Sequence, residues 1–448
     1  MVGRERIEKA VAEALASLTG AEADIVAVDY DVKLARFSNS EIHQNSVLSN
    51  TDFTVRVARG KKVGVIRTND ANTLKDALKK AYDIAGQLPE SPTFAGLPGP
   101  SEYAEVDSFS QDTADFSPYA IAEAAGEAIK RADAAGVSAS GTVRASQTGT
   151  LVANTNGVRA YNLGTAAYYK VVAMSDEGGT GLAEQVAISA RELDFWKVAA
   201  TAVDKCLRSA NPQPIEAGEY EAVLEPNAVA TILHILAMCG INGMSYNEGR
   251  SFASGRMGQQ VTNPLISITD DGTAKGTIPM PFDYEGVPRQ RVEIVRAGVM
   301  SGMLFDSSSA KLAGTKSTGH ALPPGAMFAN QAMHLKLEPG DASVEDMIRS
   351  TKRGIYITRF HYVNPIHQVK TMFTGMTKDG TFLIEDGAVT KPLRNLRFTD
   401  SILDGVFKNV QMIGRKLELF GGDAMIPSGY LAPAIKTAKF NFTGSTDH

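Results

Sequence analysis

The chain has 448 residues, a formal net charge of -5 and a pI near 5.9. Hydrophobic residues make up 43% and charged residues 21%, which is typical of a soluble globular protein. The negative balance and the lack of any cluster of lysine and arginine argue against binding to nucleic acid. The length exceeds that of a single hydrophobic core, so two domains are expected.

The amino-terminal segment places apolar residues at three- and four-residue steps from Ile7 to Leu18, which predicts an amphipathic surface helix and not a signal peptide. No stretch of about 18 apolar residues is present, so no membrane span is expected. Cys206 and Cys239 are the only cysteines, and in a secreted chain of this length several pairs would be usual. We therefore expect a cytoplasmic protein with two reduced thiols and no membrane contact.

The first half begins with alternating apolar and polar residues over 23–42 and 52–68, which predict strands with Gly60 in a hairpin turn. Helical spacing returns over 72–88. Residues 88–103 contain four prolines and two glycines and are predicted to form a loop or crossover. A second unit of helix, strand meander and helix follows this loop.

The best candidate for a domain boundary is the segment 210–220, which combines two prolines and a glycine without periodicity. Dividing the chain at Glu216 gives an amino-terminal domain of mixed helix and sheet (1–215) and a carboxyl-terminal domain (216–448). In the second domain a short apolar helix is followed by short alternating strands, which predict a sandwich or barrel-like sheet. The fold class is therefore α+β, with a mostly β carboxyl-terminal domain.

Several sequence blocks follow one another in the second half: a Gly/Ser-rich segment, an acidic pair, an F-D-x-E-G turn and an S-T-G. In this order and spacing the chain resembles the TldD/PmbA family of peptide-processing metalloproteases. The residues that carry the resemblance are Ser254, Gly255, Gly258, Asp270, Asp271, Phe282, Asp283, Glu285, Gly286, Ser317, Thr318 and Gly319.

The resemblance implies a zinc site built on an H-E-x-x-x-H motif in the helix after the boundary. Imidazole and thiolate ligands hold zinc while a glutamate takes a proton from the bound water. Here His234 remains, but Ile235 replaces the glutamate and Cys239 replaces the second histidine. Because an alkyl side chain cannot accept a proton, loss of this base alone lowers the rate by about 10²–10⁴.

The resemblance also implies a cysteine ligand near the carboxyl end, where this chain has Gly421, Gly422 and Asp423. His234 and Cys239 are five residues apart and therefore lie about 140° from one another on a helix. We expect no metal cofactor and no catalytic residue of the zinc type. The favoured interpretation of His234 and Cys239 is core packing, and contact with substrate is the alternative for His234.

A second group of candidates is concentrated in the segment 359–368, which we predict to be a loop after a strand. Loops that collect aromatic and titratable groups often hold ligands, although such residues also simply lie on exposed turns. The predicted substrate-binding residues are Arg359, His361, Tyr362 and His367, together with His234.

Two other arrangements are not specific. Asp283 and Glu285 are more simply explained as turn residues whose carboxylates accept backbone hydrogen bonds. Ser308 or Ser309 with His320 would be a nucleophile and base only if the fold brought them together.

The resemblance therefore implies the non-catalytic subunit of a metalloprotease complex that processes unfolded peptides. Its expected partner is a zinc-containing TldD-like paralogue or a second copy of the chain. Two alternatives remain open: an independent enzyme with a site on Arg359, His361 and His367, or a homodimeric peptide-binding protein. The family's label as a modulator of DNA gyrase implies no DNA contact, in agreement with the negative charge.

Overall fold

The computed structural model describes residues 1–421 and 427–445, and it confirms the α+β fold class. The α-helices of this part of the chain are α1 (Arg4–Ala16), α2 (Leu74–Gln87), α3 (Gln111–Ala114), α4 (Pro118–Ala134), α5 (Phe195–Arg208), α6 (Pro226–Met238), α7 (Gly243–Asn247), α8 (Ser307–Ala313) and α9 (Val344–Arg349).

The strands of the first half are β1 (Glu22–Ser38), β2 (Glu41–Arg59), β3 (Lys62–Thr68), β4 (Ser138–Asn154), β5 (Arg159–Met174) and β6 (Thr180–Ala187). Those of the second half are β7 (Gly218–Leu224), β8 (Ile268–Asp270), β9 (Val292–Arg296), β10 (Val299–Met300), β11 (Leu335–Leu337), β12 (Arg353–His367), β13 (Met372–Glu385), β14 (Ala388–Pro392), β15 (Leu396–Ser401), β16 (Val410–Ile413), β17 (Glu418–Gly421), β18 (Gly429–Ala432) and β19 (Ile435–Ser445).

The first half forms one antiparallel sheet in the order β3-β2-β1-β4-β5-β6. Its two halves have the same order of elements. Helix α1 precedes β1, β2 and β3 and helix α2 follows them, and in the same way α4 precedes β4, β5 and β6 and α5 follows them. All four helices pack on one face of the sheet, through residues such as Ile25 and Ala35. On the opposite face, Val26 and Val152 pack against Phe282 of the second half.

Glycine allows the closest helix contacts of this sheet. A Cβ at Gly64 of β3 would lie 2.2 Å from the Ala81 carbonyl oxygen of α2. A Cβ at Gly181 of β6 would lie 2.1 Å from the Ala202 carbonyl oxygen of α5. Both obstacles are helix backbone, so neither can move aside easily.

The second half contains a closed barrel of five strands, β12-β7-β19-β15-β13, because β12 also pairs with β13. Four phenylalanines fill its interior, with ring centroids 4.6–6.3 Å apart: Phe360, Phe373, Phe398 and Phe440. A second sheet has the order β10-β9-β8-β11-β18-β17. Helix α6 contacts strands of both, namely β12 and β18.

The segment 359–368 is not the predicted loop, since β12 runs to His367 and pairs with β13 along this segment. Three register shifts interrupt the pairing, and Tyr362 has a φ of 51° at one of them. The parallel partner β7 ends opposite Ile357, so the far part of β12 has a free edge. A free edge accommodates Pro365, which has no N–H to donate.

Polar contacts join the first sheet to the second half. Arg56 of β2 holds Asp24 at 2.8 and 2.9 Å and reaches Glu285 at 3.5 Å. The Tyr103 hydroxyl donates to the Gly286 carbonyl at 2.8 Å.

No helix within residues 1–421 and 427–445 is long and apolar enough to cross a membrane. The division of the chain at Glu216 stays a prediction.

We expect Gly181→Ala to lower the free energy of unfolding by about 1–3 kcal/mol, because the new methyl group overlaps the backbone of α5. Gly126→Ala is the matched control, since Gly126 lies within α4 with no atom within 4 Å of the added Cβ. It should stabilise the protein by up to about 1 kcal/mol through helix propensity. Denaturant titration of both variants measures the difference, and equal effects would contradict the packing argument.

Candidate functional site

Helix α6 carries the positions at which the resemblance implies the zinc motif. Pro226 occupies its first turn and Cys239 follows its last residue. Ile235 is 2% exposed and Cys239 is fully buried, both within the main core of the second half. His234 is instead exposed, so the favoured interpretation of this histidine as a core residue is wrong, whereas it is confirmed for Cys239.

His234 projects from the apolar helix towards Tyr430 of β18. Its Nδ1 lies 3.2 Å from the Tyr430 hydroxyl, and the two rings meet edge to face at 5.7 Å between centroids. Burial raises the pKa of the Cys239 thiol to about 11, so this thiol stays protonated at neutral pH. The two side chains therefore lie in different environments, one exposed and one in the core.

These residues do not fit a zinc centre. Cys239 is fully buried in the core while His234 is exposed, and Ile235 offers neither a ligand nor a base. Over residues 1–421 and 427–445, no three histidine, cysteine, aspartate or glutamate side chains are grouped as a metal-binding set. Gly422 and Asp423, at the position of the expected cysteine, lie outside the described residues.

A cleft of about 970 Å³ lies between the first sheet and the second half. Two edge strands contribute to its walls, β6 of the first sheet and β17 of the second. Helix α5, the start of α6, the start of α9 and the barrel strand β12 also contribute to the lining. The polar side chains that argue for ligand binding are Glu184, Lys205, Glu225, Tyr356 and Arg359.

Hydrogen bonds fix most of these cleft side chains. Glu184 accepts from the Tyr168 hydroxyl and from Asn227 Nδ2, each at 2.5 Å. Glu225 accepts from Lys205 Nζ at 2.6 Å and from the Tyr356 hydroxyl. The cleft wall is therefore ordered before any ligand enters.

Arg359 is the one predicted substrate-binding residue that lines this cleft. Its Nε donates to Asp379, which is 1% exposed, while its own side chain is 20% exposed. His361, Tyr362 and His367 lie further along β12 on the exposed part of the hairpin, and Tyr362 is 76% exposed. The structure thus separates Arg359 from the other members of the predicted set.

The F-D-x-E-G block of the family resemblance lies in a buried hydrogen-bond network. Asp283 accepts three backbone N–H bonds at 2.9 Å, from Glu285, Val287 and Ala321. Glu285 accepts from the Ser307 N–H at 3.0 Å. These contacts confirm that both acids accept backbone hydrogen bonds, and Asp283 alone of the two does so within its own turn. Burial and the neighbouring Glu285 raise the pKa of Asp283 to about 7, against the three N–H donors.

Asp270 lies at the centre of a second buried group. Its Oδ1 lies 3.0 Å from His320 Nε2, and its Oδ2 accepts from the His334 N–H at 2.9 Å. His320 Nδ1 lies 2.9 Å from the Thr318 hydroxyl. Burial raises the pKa of Asp270, but the hydrogen bond and charge of His320 outweigh it and lower the value to about 2.

Ser309 belongs to a separate network, with Asp306 and Asn330. Since His320 is engaged with Asp270 and Thr318, the structure does not assemble Ser309 and His320 as nucleophile and base.

Comparison with known proteins agrees with this fold. A family model for the "PmbA/TldA metallopeptidase C-terminal domain" matches residues 217–444, and one for "PmbA/TldA metallopeptidase domain 1" matches 23–85. The chain therefore belongs to the TldD/PmbA family.

Curated relatives match over part of their length. A "Metalloprotease TldD homolog" of Haemophilus influenzae is 28% identical over 256 residues, which is 54% of this chain and 52% of that protein. The "Metalloprotease PmbA" of Escherichia coli O157:H7 is 26% identical over 199 residues, 44% of this chain and 41% of that protein. The chain thus spans about half the length of such relatives.

Solved structures share the fold over nearly the whole chain. TldE from Thermococcus kodakarensis superposes with a TM-score of 0.85 at 20% identity, covering 98% of this chain and 100% of that one. A Thermotoga maritima protein, described as a candidate modulator of a DNA gyrase, also gives 0.85, at 18% identity, with the same coverage.

Sequence reasoning missed the cleft residues Glu184, Lys205, Glu225 and Tyr356. Glu184, Lys205 and Glu225 lie on β6, on α5 and just before α6, whereas Tyr356 lies on the distant strand β12, and no motif marks any of them. It also missed the buried partners of Asp270, because a histidine in an irregular segment gives no signal of burial.

We expect Ile235→Glu to destabilise the protein by about 3 kcal/mol or more, because the carboxylate would enter the apolar core without a partner. His234→Gln, at the exposed neighbouring position, should cost less than about 1 kcal/mol. Denaturant titration measures both, and a stable Ile235→Glu variant would show that α6 can turn this face towards water.

We expect His334 to make the protein less stable in acid. Burial and the charge of Arg289 lower the pKa of His334 from 6.5 to about 4. The unfolded state therefore binds more protons between these values, and about 3 kcal/mol of stability is lost as pH falls from 6.5 to 4. His334→Gln keeps a donor but does not titrate. The free energy of unfolding of the unmodified chain minus that of His334→Gln should rise with pH up to about 6.5 and stay level above it. A difference that is the same at pH 4 and pH 6.5 would contradict the assignment.

Proposed function

We propose that this chain is the non-catalytic subunit of a two-component metalloprotease of the TldD/PmbA type. In this proposal it holds an unfolded peptide, and a zinc-containing paralogue supplies the hydrolytic centre. The observation that carries the proposal is the burial of Ile235 in the position of the catalytic acid. A general base must reach a water molecule, and a side chain 2% exposed in an apolar core cannot do so.

The cleft supports the peptide-binding part of the proposal. Edge strands offer unpaired N–H and C=O groups, and an extended peptide binds such edges through its backbone. Both β6 and β17 are edge strands of their sheets and line the cleft. Arg359 adds a positioned donor, because the contact with Asp379 uses its Nε and leaves the terminal nitrogens for a carbonyl or carboxylate.

The two curated relatives described above are called metalloproteases, which supports a link of this chain to proteolysis. We place the complex in the cytoplasm, where the buried thiols Cys206 and Cys239 would stay reduced. A homodimer that binds peptide without hydrolysis is the outcome expected if no zinc-motif paralogue associates with the chain.

The first test is metal content. The chain purified from zinc-supplemented medium should hold far less than one zinc per chain by inductively coupled plasma mass spectrometry. A chelator should leave its Tm unchanged, because a structural metal would contribute directly to the folding free energy. One equivalent of zinc together with a chelator-induced fall in Tm would overturn the metal-free assignment.

The second test is peptide capture by the complex with a zinc-motif paralogue. Arg359→Lys keeps the charge beside Asp379 but removes the forked donor, so peptide affinity should fall by about tenfold. Fluorescence anisotropy with a labelled unfolded peptide measures this change. Arg353→Lys, at the exposed start of the same strand, is the control.

Complex mass and zinc content should be the same in both variants. If Arg359→Lys binds peptide as tightly as Arg353→Lys, Arg359 does not contact substrate. If it prevents assembly, this part of β12 belongs to the subunit interface.

A further inference from the structure

Glu184 of β6 lines the cleft between the first sheet and the second half. Residues 182–186 of this strand all line the cleft, and Glu184 is the middle one. Its neighbour Ala183 packs against the core formed with α4 and α5. Because side chains alternate along a strand, Glu184 points to the opposite face of the sheet, where it meets Asn227 of α6.

Two neutral groups hold the Glu184 carboxylate. The Tyr168 hydroxyl donates to Oε2 and the Asn227 amide donates to Oε1, each at 2.5 Å. Within residues 1–421 and 427–445, no ion pair of 4 Å or less joins Glu184 to a lysine, arginine or histidine. A carboxylate has about four acceptor positions, so these two donors leave positions open and the negative charge unpaired.

The other acids in or beside the cleft are either paired or exposed. Three of them have a cation within 4 Å: Glu225 with Lys205, Asp379 with Arg359, and Glu418 with Lys416. The remaining acidic side chains of the lining are exposed to water, which screens their charge: Glu192, Asp194 and Glu345. Glu184 is half-buried and therefore attracts a cation more strongly than these exposed acids do.

Lys170 does not occupy the open positions of the Glu184 carboxylate. It lies opposite Glu184 in the β5–β6 pairing, so the two side chains share one face of the sheet. Its Nζ lies 6.0 Å from the centre of the Tyr168 ring, outside ion-pair distance of Glu184, and Lys170 does not line the cleft. A cation that enters the cleft therefore meets a carboxylate without an ion-pair partner among the described side chains.

We propose that Glu184 selects peptides that carry a basic side chain, lysine or arginine, at the position next to it. This inference rests on the proposed function, since it requires an extended peptide in the cleft. A peptide strand that pairs with the edge of β6 places a side chain beside Glu184 on the same face of the sheet. An ammonium or guanidinium group there forms a charge-assisted hydrogen bond at the oxygen positions that Tyr168 and Asn227 leave open.

The test compares two fluorescein-labelled decapeptides, amidated at the carboxyl end, that differ only in a central lysine or norleucine. Norleucine has an alkyl chain like that of lysine without the ammonium group. By fluorescence anisotropy, the complex with a zinc-motif paralogue should bind the lysine peptide about fivefold more tightly. Glu184→Gln removes the charge but keeps the size of the side chain. Its affinity ratio should fall to about one, with the norleucine peptide bound as before.

Glu22→Gln is the matched control. Glu22 of β1 is half-buried and also accepts from an asparagine side chain, Asn156 at 2.8 Å, but it does not line the cleft. This variant should keep the preference for the lysine peptide. If Glu184→Gln does not assemble, Glu184→Asp takes its place. It draws the carboxylate back by one methylene and should lower the affinity ratio about twofold or more.

Equal affinity of the unmodified complex for the two peptides would overturn this inference and leave the peptide-binding role intact. A preference for lysine that persists in the Glu184 variant would assign the selection to another residue and also overturn it. If neither peptide binds, the peptide-binding part of the proposed function fails, and the role of Glu184 fails with it.

Discussion

The burial of helix α6 is the constraint on which the rest of the second half depends. The helix is apolar around most of its circumference and lies in the main hydrophobic core, in contact with barrel strand β12 and sheet strand β18. Full burial of one isoleucine side chain contributes about 1.5–3 kcal/mol. Ile235 thus belongs to the packing that joins the barrel to the second sheet. Only His234 of the zinc-motif positions remains on a face that a ligand can reach.

The residues that carry the family resemblance stabilise turns and contacts between segments in this chain. Asp283 organises its own turn and holds the segment after Gly319. Glu285 contacts the start of α8 and, through Arg56, the first sheet. Asp270 connects β8 to two histidines. These networks give the sequence blocks a structural role that needs no metal, and they illustrate that a shared fold does not by itself define an activity.

The sequence predicts the regular elements well because their hydrophobic periodicity is strong. It indicates α1, α2, α4, α5 and α6, the hairpin around Gly60 and the strand-rich second half. It fails where tertiary pairing overrides local signals. Asn364 and Pro365 indicate a loop, yet β12 continues because β13 pairs with it and bulges absorb the irregular residues. Barrel closure depends on strands that are far apart in the chain, which no local pattern reveals.

The candidate site was only partly predictable for a related reason. The apolar neighbours of His234 favour a core position, but one helical position can face outward while both flanking positions are buried. The aromatic and titratable residues around Arg359 indicate a binding segment, whereas its position in the cleft depends on Asp379 across the β12–β13 pair. Glu184 and Glu225 become neighbours of one cleft only when β6 and α6 meet. Local sequence patterns identify candidate binding residues. Tertiary packing determines which of these residues lie in one site.

The same packing opposes a zinc-type site on α6. An acid at position 235 would have to leave the core to meet water, which means rotating or displacing α6 from its contacts with β12 and β18. Cys239 would have to lose its proton, although burial raises its pKa to about 11, and turn by about 140° towards His234. The chain has no third cysteine to complete the ligand set. Each change opposes the burial that stabilises the second half.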